Sequence, residues 1–90
     1  MERFEAIVRG KVQGVWFRAF VFEQALALGL RGETRNLSDG SVAVVAEGSH
    51  EKLELLLEHL WRGPELAQVD TIDVDWKDAR GTHETFSIAH

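Results

Sequence analysis

The 90-residue sequence contains no cysteine, and no apolar run in it approaches the roughly 20 residues that a membrane-spanning helix needs. Without cysteine there is no disulfide, no thiolate nucleophile and no zinc–thiolate site, and the composition is compatible with a reducing compartment. Residues 1–8 alternate charged and apolar side chains and do not resemble a signal peptide. We therefore expect a cytoplasmic protein that does not associate with membranes.

The sequence also lacks an excess of basic residues, since fifteen acidic residues stand against ten basic ones and the formal net charge is −5. Proteins that bind nucleic acids are usually basic, so this balance argues against a nucleic-acid partner. Several basic residues nevertheless lie in the first part of the chain, among them Arg9, Lys11 and Arg18. An acidic protein with a locally basic first half can still bind a small anion.

Apolar residues make up 44% of the chain and charged residues 28%, proportions that are typical of a globular protein. A chain of this length forms one core rather than two, so residues 1–90 are predicted to be a single domain. We expect a monomer, because packing the predicted helices on the predicted sheet leaves no large apolar face uncovered.

Hydrophobic periodicity and turn-forming residues predict strands and helices in the order β-α-β-β-α-β, followed by a short last strand. Gly10 ends the first strand, and the turn at residues 38–40 joins the second and third strands into a hairpin. Ser49 is a suitable N-cap for the second helix, which ends at Gly63-Pro64. The predicted strands are residues 4–9, 31–37, 41–47, 69–76 and 85–89, and the first helix is residues 17–28.

This order is that of the split βαβ, or ferredoxin-like, fold. It predicts an α+β sandwich in which two helices cover one face of an antiparallel sheet with the strand order 4-1-3-2. The first and second strands then run in the same direction, so their C-terminal ends lie at the same end of the sheet. The first helix begins at that end, with Arg18 in its first turn, and Asn36 lies there too. We therefore expect Arg18 and Asn36 to meet at one site.

The loop over residues 10–16 suits an anion, because two glycines let it turn and it leads into a helix N-terminus with unpaired N–H groups. Arg18 adds a planar fork that fits two phosphate oxygens. No Walker motif is present, and the loop by itself is a weak signal. Taken alone, Arg18 is more typical of a solvated helix surface, and Asn36 of a turn.

The four histidines lack metal-ligand spacing and are predicted to be surface residues: His50, His59, His83 and His90.

Two segments resemble the signatures of the acylphosphatase family. Residues 10–18 read G-K-V-Q-G-V-W-F-R and match G-[KR]-V-Q-G-V-x-[FY]-R, and residues 29–42 match G-L-x-G-x-x-x-N-x-x-D-G-x-V. The Gly63-Pro64 pair and the Phe86-Ser87-Ile88 segment also fit the family pattern. The resemblance covers nearly the whole chain at matching spacing, and two independent motifs argue against a chance match.

The resemblance implies a hydrolase acting on acid anhydrides, one that cleaves acyl phosphates to a carboxylate and inorganic phosphate without a metal or cofactor. It implies that Arg18 binds the phosphate and that Asn36 orients the attacking water. It also implies a phosphate cradle made by the backbone amides of Gln13, Gly14, Val15, Trp16, Phe17 and Arg18. This chemistry needs no general acid, because a carboxylate with a pKa of about 4 to 5 leaves without being protonated.

Two positions depart from the family pattern. Trp16 stands where the family often has glycine, and its side chain is acceptable there if it points outward. Glu33-Thr34 replace a pair that is usually aromatic and then aliphatic, which bears on how the second strand is buried. Neither departure falls on Arg18 or Asn36.

Two other interpretations remain open at this point. The chain could be a non-catalytic ferredoxin-like module that binds a small anion or a partner, because this fold has many functions. It could also be the acylphosphatase-like domain of a larger carbamoyl-transfer maturation protein. Because the sequence starts with Met1 and ends right after the last strand, we expect an independent protein.

Overall fold

A computed structural model describes residues 1–90 and contains five strands and two helices. In chain order they are β1 (Glu2–Lys11), α1 (Phe17–Ala27), β2 (Arg31–Asn36), β3 (Val42–Gly48), α2 (His50–Arg62), β4 (Gln68–Asp78) and β5 (Phe86–Ile88). The two helices contact each other and pack together on the sheet, so the predicted α+β, ferredoxin-like fold is confirmed. Neither helix is long and apolar enough to cross a lipid bilayer.

The strands form one sheet in the order β4-β1-β3-β2-β5. The predicted order of the first four strands is correct, and their pairings are antiparallel. The sheet as a whole is mixed rather than antiparallel, because β5 pairs in parallel with β2. The reason is the path of residues 79–85, which follow the end of β4 and stay at the end of the sheet where β1 and β2 begin. A strand that starts from this end runs in the direction of β2.

Alternate residues of the two central strands form the middle of the core. Phe4, Ala6 and Val8 of β1 and the facing residues of β3 are fully buried, as the period-two pattern of a half-buried strand predicts. Helix α2 covers them with Leu53, Leu56 and Leu60, and Leu57 is only half-buried. The complete core consists of Phe4, Ala6, Val8, Val12, Val15, Phe17, Val21, Ala25, Leu30, Val42, Val44, Ala46, Leu53, Leu56, Leu60 and Phe86.

Strand β2 is buried on one side even though its sequence is polar. Thr34 is fully buried, and its hydroxyl donates a 3.0 Å hydrogen bond to the carbonyl of Ala43. This bond satisfies the one polar group that Thr34 brings into the core, so burial does not leave a hydroxyl unpaired. The polar pair Glu33-Thr34 is therefore compatible with a well-packed second strand.

The end of the sheet where β1 begins is held by a buried ion pair. Arg3 Nη1 donates a 2.8 Å hydrogen bond to Glu47 Oε2, and both side chains are almost entirely buried. The backbone N–H groups of Arg80 and Gly81 donate to the same carboxylate at 2.9 and 3.0 Å. Burial alone would raise the pKa of Glu47, but these donors and the Arg3 charge outweigh it and lower the pKa to about 2. Glu47 thus ties the segment after β4 to the sheet.

Candidate active site

The loop between β1 and α1 is fixed to the core by three apolar side chains. Val12, Val15 and Phe17 are buried, whereas Gly14 and Trp16 between them are exposed. Because the buried side chains point into the core, the backbone that joins them lies at the surface with a fixed path. The loop therefore presents its peptide groups to solvent without depending on the side chains of the exposed residues.

The N–H groups of this loop have no partners within the protein. None of the amides of residues 13–16 donates a hydrogen bond to a backbone carbonyl, and no side chain caps α1. The amides of Phe17 and Arg18 belong to the first helical turn, which has no carbonyl one turn earlier to accept from them. The first turn of α1 also lacks acidic residues. Unpaired N–H groups and the positive end of the helix dipole together favour an anion here.

Two residues of the loop have left-handed backbone conformations. Gly14 has a φ of 73°, and Trp16, the residue before α1, has a φ of 64° and a ψ of 25°. Glycine adopts this region without cost, but a residue with a Cβ atom is strained there. The strain at Trp16 coincides with an indole that is 79% exposed, so packing of the indole against the core does not offset it.

A pocket of about 390 Å³ opens beside the loop. Of the predicted site residues, five line the pocket, whereas Gln13 and Val15 do not. The complete lining is Val12, Gly14, Trp16, Phe17, Arg18, Ala19, Asn36, Ile88 and His90. The structure thus brings the predicted anion ligand and the predicted water ligand to the walls of one pocket.

Arg18 has no acidic partner. Its side chain is half-buried, and no carboxylate lies within 4 Å of it. Arg18 Nη1 donates a 3.0 Å hydrogen bond to the carbonyl of Ala89, which fixes the direction of the guanidinium. The remaining N–H donors of the fork are free, and the positive charge is not compensated by a neighbouring carboxylate.

Asn36 is the last residue of β2 and is exposed. Its side-chain carboxamide has no hydrogen bond to another protein group, so both its carbonyl oxygen and its NH₂ group can contact a water molecule. The backbone on each side is fixed, because Asn36 pairs with Val42 of β3. A free amide on a fixed backbone can orient a water in the pocket.

Gln13 serves the site through its side chain. Its Nε2 atom donates 2.8 Å hydrogen bonds to the carbonyls of Leu37 and Ser41. These two carbonyls belong to the turn that follows Asn36, so Gln13 ties the loop to the hairpin that carries Asn36. The family signature implies only a backbone role for Gln13, because nothing in a linear motif indicates side-chain partners about 25 positions away.

The C-terminal residues also border the pocket, and the sequence did not predict this position. Because β5 runs parallel to β2, the chain after it arrives at the same end of the sheet as Asn36. Ile88 and His90 line the pocket, and the carbonyl of Ala89 accepts from Arg18. His90 is exposed, as predicted, yet it borders the site. The signal was absent from the sequence, since the direction of β5 depends on the path of the preceding segment.

Fold and pocket together define a class of protein: a small α+β sandwich with a pocket and unpaired N–H groups where the first helix begins. A family model described as acylphosphatase matches residues 4–88. The acylphosphatase of Thermus thermophilus is 53% identical over 81 residues, which are 90% of this chain and 92% of that protein. The acylphosphatase of Dehalococcoides mccartyi is 44% identical over 91 residues and covers both chains completely. The chain belongs to the acylphosphatase family.

Solved structures agree with this assignment. The crystal structure of acylphosphatase from Bacillus subtilis superposes with a TM-score of 0.97 at 36% identity, and all of both chains is covered. HypF from T. kodakarensis superposes with a TM-score of 0.86 at 34% identity, and there the match covers all of this chain but only 12% of HypF. The same fold therefore occurs both as a chain of this size and as a small part of a longer one.

Proposed function

We propose that this protein hydrolyses acyl phosphates with Arg18 and the loop amides as phosphate ligands and Asn36 as the ligand of the attacking water. As a member of the acylphosphatase family, it is a hydrolase that acts on the carboxyl–phosphate bond and releases inorganic phosphate. The observation that carries the residue roles is the set of unpartnered donors at the pocket. The amides of residues 13–16 have no acceptor in the protein, and no carboxylate lies within 4 Å of the positive charge of Arg18.

Substrate binding then proceeds by replacing water on these donors. The phosphate oxygens accept from the loop N–H groups, and two of them accept from the guanidinium of Arg18, which the carbonyl of Ala89 keeps in place. These donors are fixed before the substrate arrives, so they stabilise the charge that accumulates on the phosphoryl oxygens without reorganising. Phosphoryl transfer requires mainly such positioning and charge neutralisation.

The chemical step is an attack by water in line with the leaving carboxylate. The water oxygen, held by the Asn36 carboxamide, forms a bond to phosphorus while the bond between phosphorus and the carboxylate oxygen breaks. The electron pair of that bond leaves with the carboxylate, which is stable without a proton at neutral pH. A phosphate oxygen accepts the proton of the water, so the pocket needs neither a general acid nor a general base from the protein.

We further propose that residues 1–90 act as one catalytic domain, a cytoplasmic monomer that does not bind nucleic acid. The net charge of −5 argues against binding to nucleic acid. The lack of cysteine is compatible with a cytoplasmic location. The larger exposed apolar side chains are scattered over different elements, among them Leu26, Trp61 and Leu66. Scattered apolar residues do not form the patch that an obligate interface needs. Light scattering at micromolar concentration should give the mass of one chain, and a stable dimer would contradict this proposal.

Turnover of benzoyl phosphate by the purified protein tests the proposed roles. We expect hydrolysis that inorganic phosphate inhibits competitively, and a fall in kcat/KM of about 10²- to 10³-fold in both Arg18→Ala and Asn36→Ala. In Asn36→Ala the loss should fall mainly on kcat, because the phosphate ligands are intact. Lys11→Ala is the matched control, since it removes a nearby charge that does not line the pocket. Phosphate binding without turnover would identify a non-catalytic anion-binding module instead.

A further inference from the structure

The pocket is larger and more apolar than a phosphate group requires. Its volume of about 390 Å³ lies within the range of roughly 300–1,000 Å³ that proteins use for small organic ligands. Arg18, Asn36 and His90 supply the polar side chains of the wall, and five of the nine lining residues are hydrophobic. The space left beside a bound phosphate is therefore suited to an uncharged, apolar group.

Trp16 is the most unusual part of this apolar wall. Its indole is 79% exposed and makes no contact with another aromatic ring of the protein. Its backbone is left-handed, with a φ of 64°, at the position directly before α1. A strained backbone that presents a large apolar side chain to solvent has no stabilising role in the fold, and strain of this kind concentrates at functional sites.

The position of Trp16 relative to the phosphate ligands indicates which part of a substrate it meets. It directly precedes Phe17 and Arg18 and belongs to the same loop as the free amides. In an acyl phosphate the acyl group is bonded to the phosphoryl group through a single oxygen. A phosphate held by the loop and Arg18 therefore leaves its acyl group in the same pocket, whose wall includes the indole of Trp16.

We propose that the indole of Trp16 packs against the acyl group of the substrate and makes this enzyme selective for aromatic acyl phosphates over small aliphatic ones. The inference rests on the proposed function, because it concerns the same pocket. An aromatic acyl group can stack on the indole and bury apolar area on both sides, whereas an acetyl group covers only a small part of the ring. The stacking interaction corresponds to about a tenfold preference.

The test compares kcat/KM for benzoyl phosphate and acetyl phosphate in the wild-type protein and in variants. Comparing the ratio of the two values between variants cancels the intrinsic difference in reactivity of the two substrates. In Trp16→Asn, which tolerates the left-handed backbone, we expect the ratio to fall about tenfold. Trp16→Phe should keep the ratio within about twofold, because it keeps an aromatic face. Trp61→Ala is the matched control, since the side chain of Trp61 is also exposed but does not line the pocket.

Binding measured without turnover separates this inference from the proposed function. Phenylphosphonate and methylphosphonate carry the same anionic group and differ in the apolar one, and calorimetry gives the Kd of each. We expect the preference for phenylphosphonate to fall about tenfold in Trp16→Asn. If the wild-type protein prefers phenylphosphonate but does not hydrolyse acyl phosphates, only the proposed hydrolysis mechanism is refuted. A ratio unchanged in Trp16→Asn, in turnover and in binding, would overturn the role of Trp16, as would equal loss for both ligands.

Discussion

The two helices of the sandwich begin in opposite ways. At α2 the hydroxyl of Ser49 accepts a hydrogen bond from the amide of Lys52, and Glu51 lies in the first turn, so the protein itself supplies a cap and a negative charge at this N-terminus. At α1 no side chain acts as a cap and no acidic residue lies in the first turn. Helix α1 therefore lacks the cap and the acidic residue that α2 has, as the proposed phosphate site requires.

The charged groups at the two ends of the sheet show the same difference. Near the start of α2, Glu47 is buried and is held by Arg3 and by two backbone amides. Near the start of α1, Arg18 has a carbonyl neighbour but no carboxylate. The end with paired charges stabilises the fold, and the end with unpaired charges can bind a ligand. The contrast predicts that variants at one end change stability and that variants at the other change catalysis.

The largest effect on catalysis is expected when the planar guanidinium of Arg18 is removed and the positive charge is kept. Lysine in Arg18→Lys cannot contact two phosphate oxygens and the carbonyl of Ala89 at the same time. We expect kcat/KM to fall about 10²- to 10³-fold, with a change in the free energy of unfolding below about 1 kcal/mol. Enzyme assays and urea denaturation measure the two quantities. Turnover close to that of the wild-type protein would mean that the positive charge alone suffices and that the planar geometry of the guanidinium is unimportant.

The second effect concerns the opposite end, where Glu47→Gln removes a buried charge. The pKa of Glu47 is lowered from 4.5 to about 2, which corresponds to about 3 kcal/mol of stability at neutral pH. We expect Glu47→Gln to lose about this amount in urea denaturation, because the Arg3 guanidinium also loses its closest buried partner. The folded variant should keep the kcat/KM of the wild-type protein. A catalytic defect in the folded variant would show that the two ends are coupled.

The same pair makes stability depend on pH in a defined direction. A carboxyl whose pKa is lowered by folding stabilises the protein fully above its unfolded pKa and loses this contribution as pH falls toward the folded pKa. For Glu47 this window runs from 4.5 to about 2. Between pH 6 and pH 3 the stability difference between the wild-type protein and Glu47→Gln should shrink by about 2 kcal/mol. A difference that is constant with pH would contradict the assignment.

A smaller effect is expected when α1 is given the acidic residue that α2 has. Trp16→Asp places a carboxylate beside the free amides, where it competes with phosphate and repels it. Relative to the uncharged control Trp16→Asn, we expect the Ki of inorganic phosphate to rise about tenfold at low salt and less at high salt. Asparagine and aspartate are similar in size and tolerate a left-handed backbone, so the comparison isolates the charge. Equal Ki values in the two variants would show that phosphate binds elsewhere.

The smallest effect is expected from removing the cap that α2 has and α1 lacks. Ser49→Ala should lower the free energy of unfolding by about 1 kcal/mol, because the amide of Lys52 loses its acceptor. The kcat/KM should stay within experimental error of the wild-type value, since Ser49 lies at the end of the sheet away from the pocket. Urea denaturation and the enzyme assay check both parts. A change in kcat/KM without a change in the free energy of unfolding would contradict the expectation that the end of the sheet near Ser49 contributes to stability and not to catalysis.

The sequence predicted the site as far as local patterns reach. The turn before β3 and the cap at Ser49 follow from turn and capping residues, and the strand order follows from the fold that the order of elements indicates. The family signatures predict Arg18 and Asn36 as site residues. The parallel pairing of β5 was missed, because a strand of three residues has no pattern that specifies its direction. That pairing brings Ala89 to Arg18, so one ligand of the guanidinium was missed with it.

Two further features depend on contacts between distant parts of the chain. The bonds from the Gln13 side chain to the hairpin exist only after β1 and β2 are both placed in the sheet. Trp16 has a left-handed conformation between Val15 and Phe17, whose side chains are buried in the core that distant parts of the chain form together. A tryptophan ordinarily has a negative φ, so the left-handed conformation of Trp16 could not be predicted from the residue type.

Amide chemical shifts during a titration with inorganic phosphate test the contrast between the two helix N-termini most directly. In the ¹H–¹⁵N spectrum of the wild-type protein, we expect the largest shifts at the amides of residues 13–18 and at the Arg18 side chain. The amides of residues 50–53 at the start of α2 should change little at the same phosphate concentration. Equal shifts at both helix N-termini, or none at residues 13–18 at a concentration that inhibits turnover, would contradict the account.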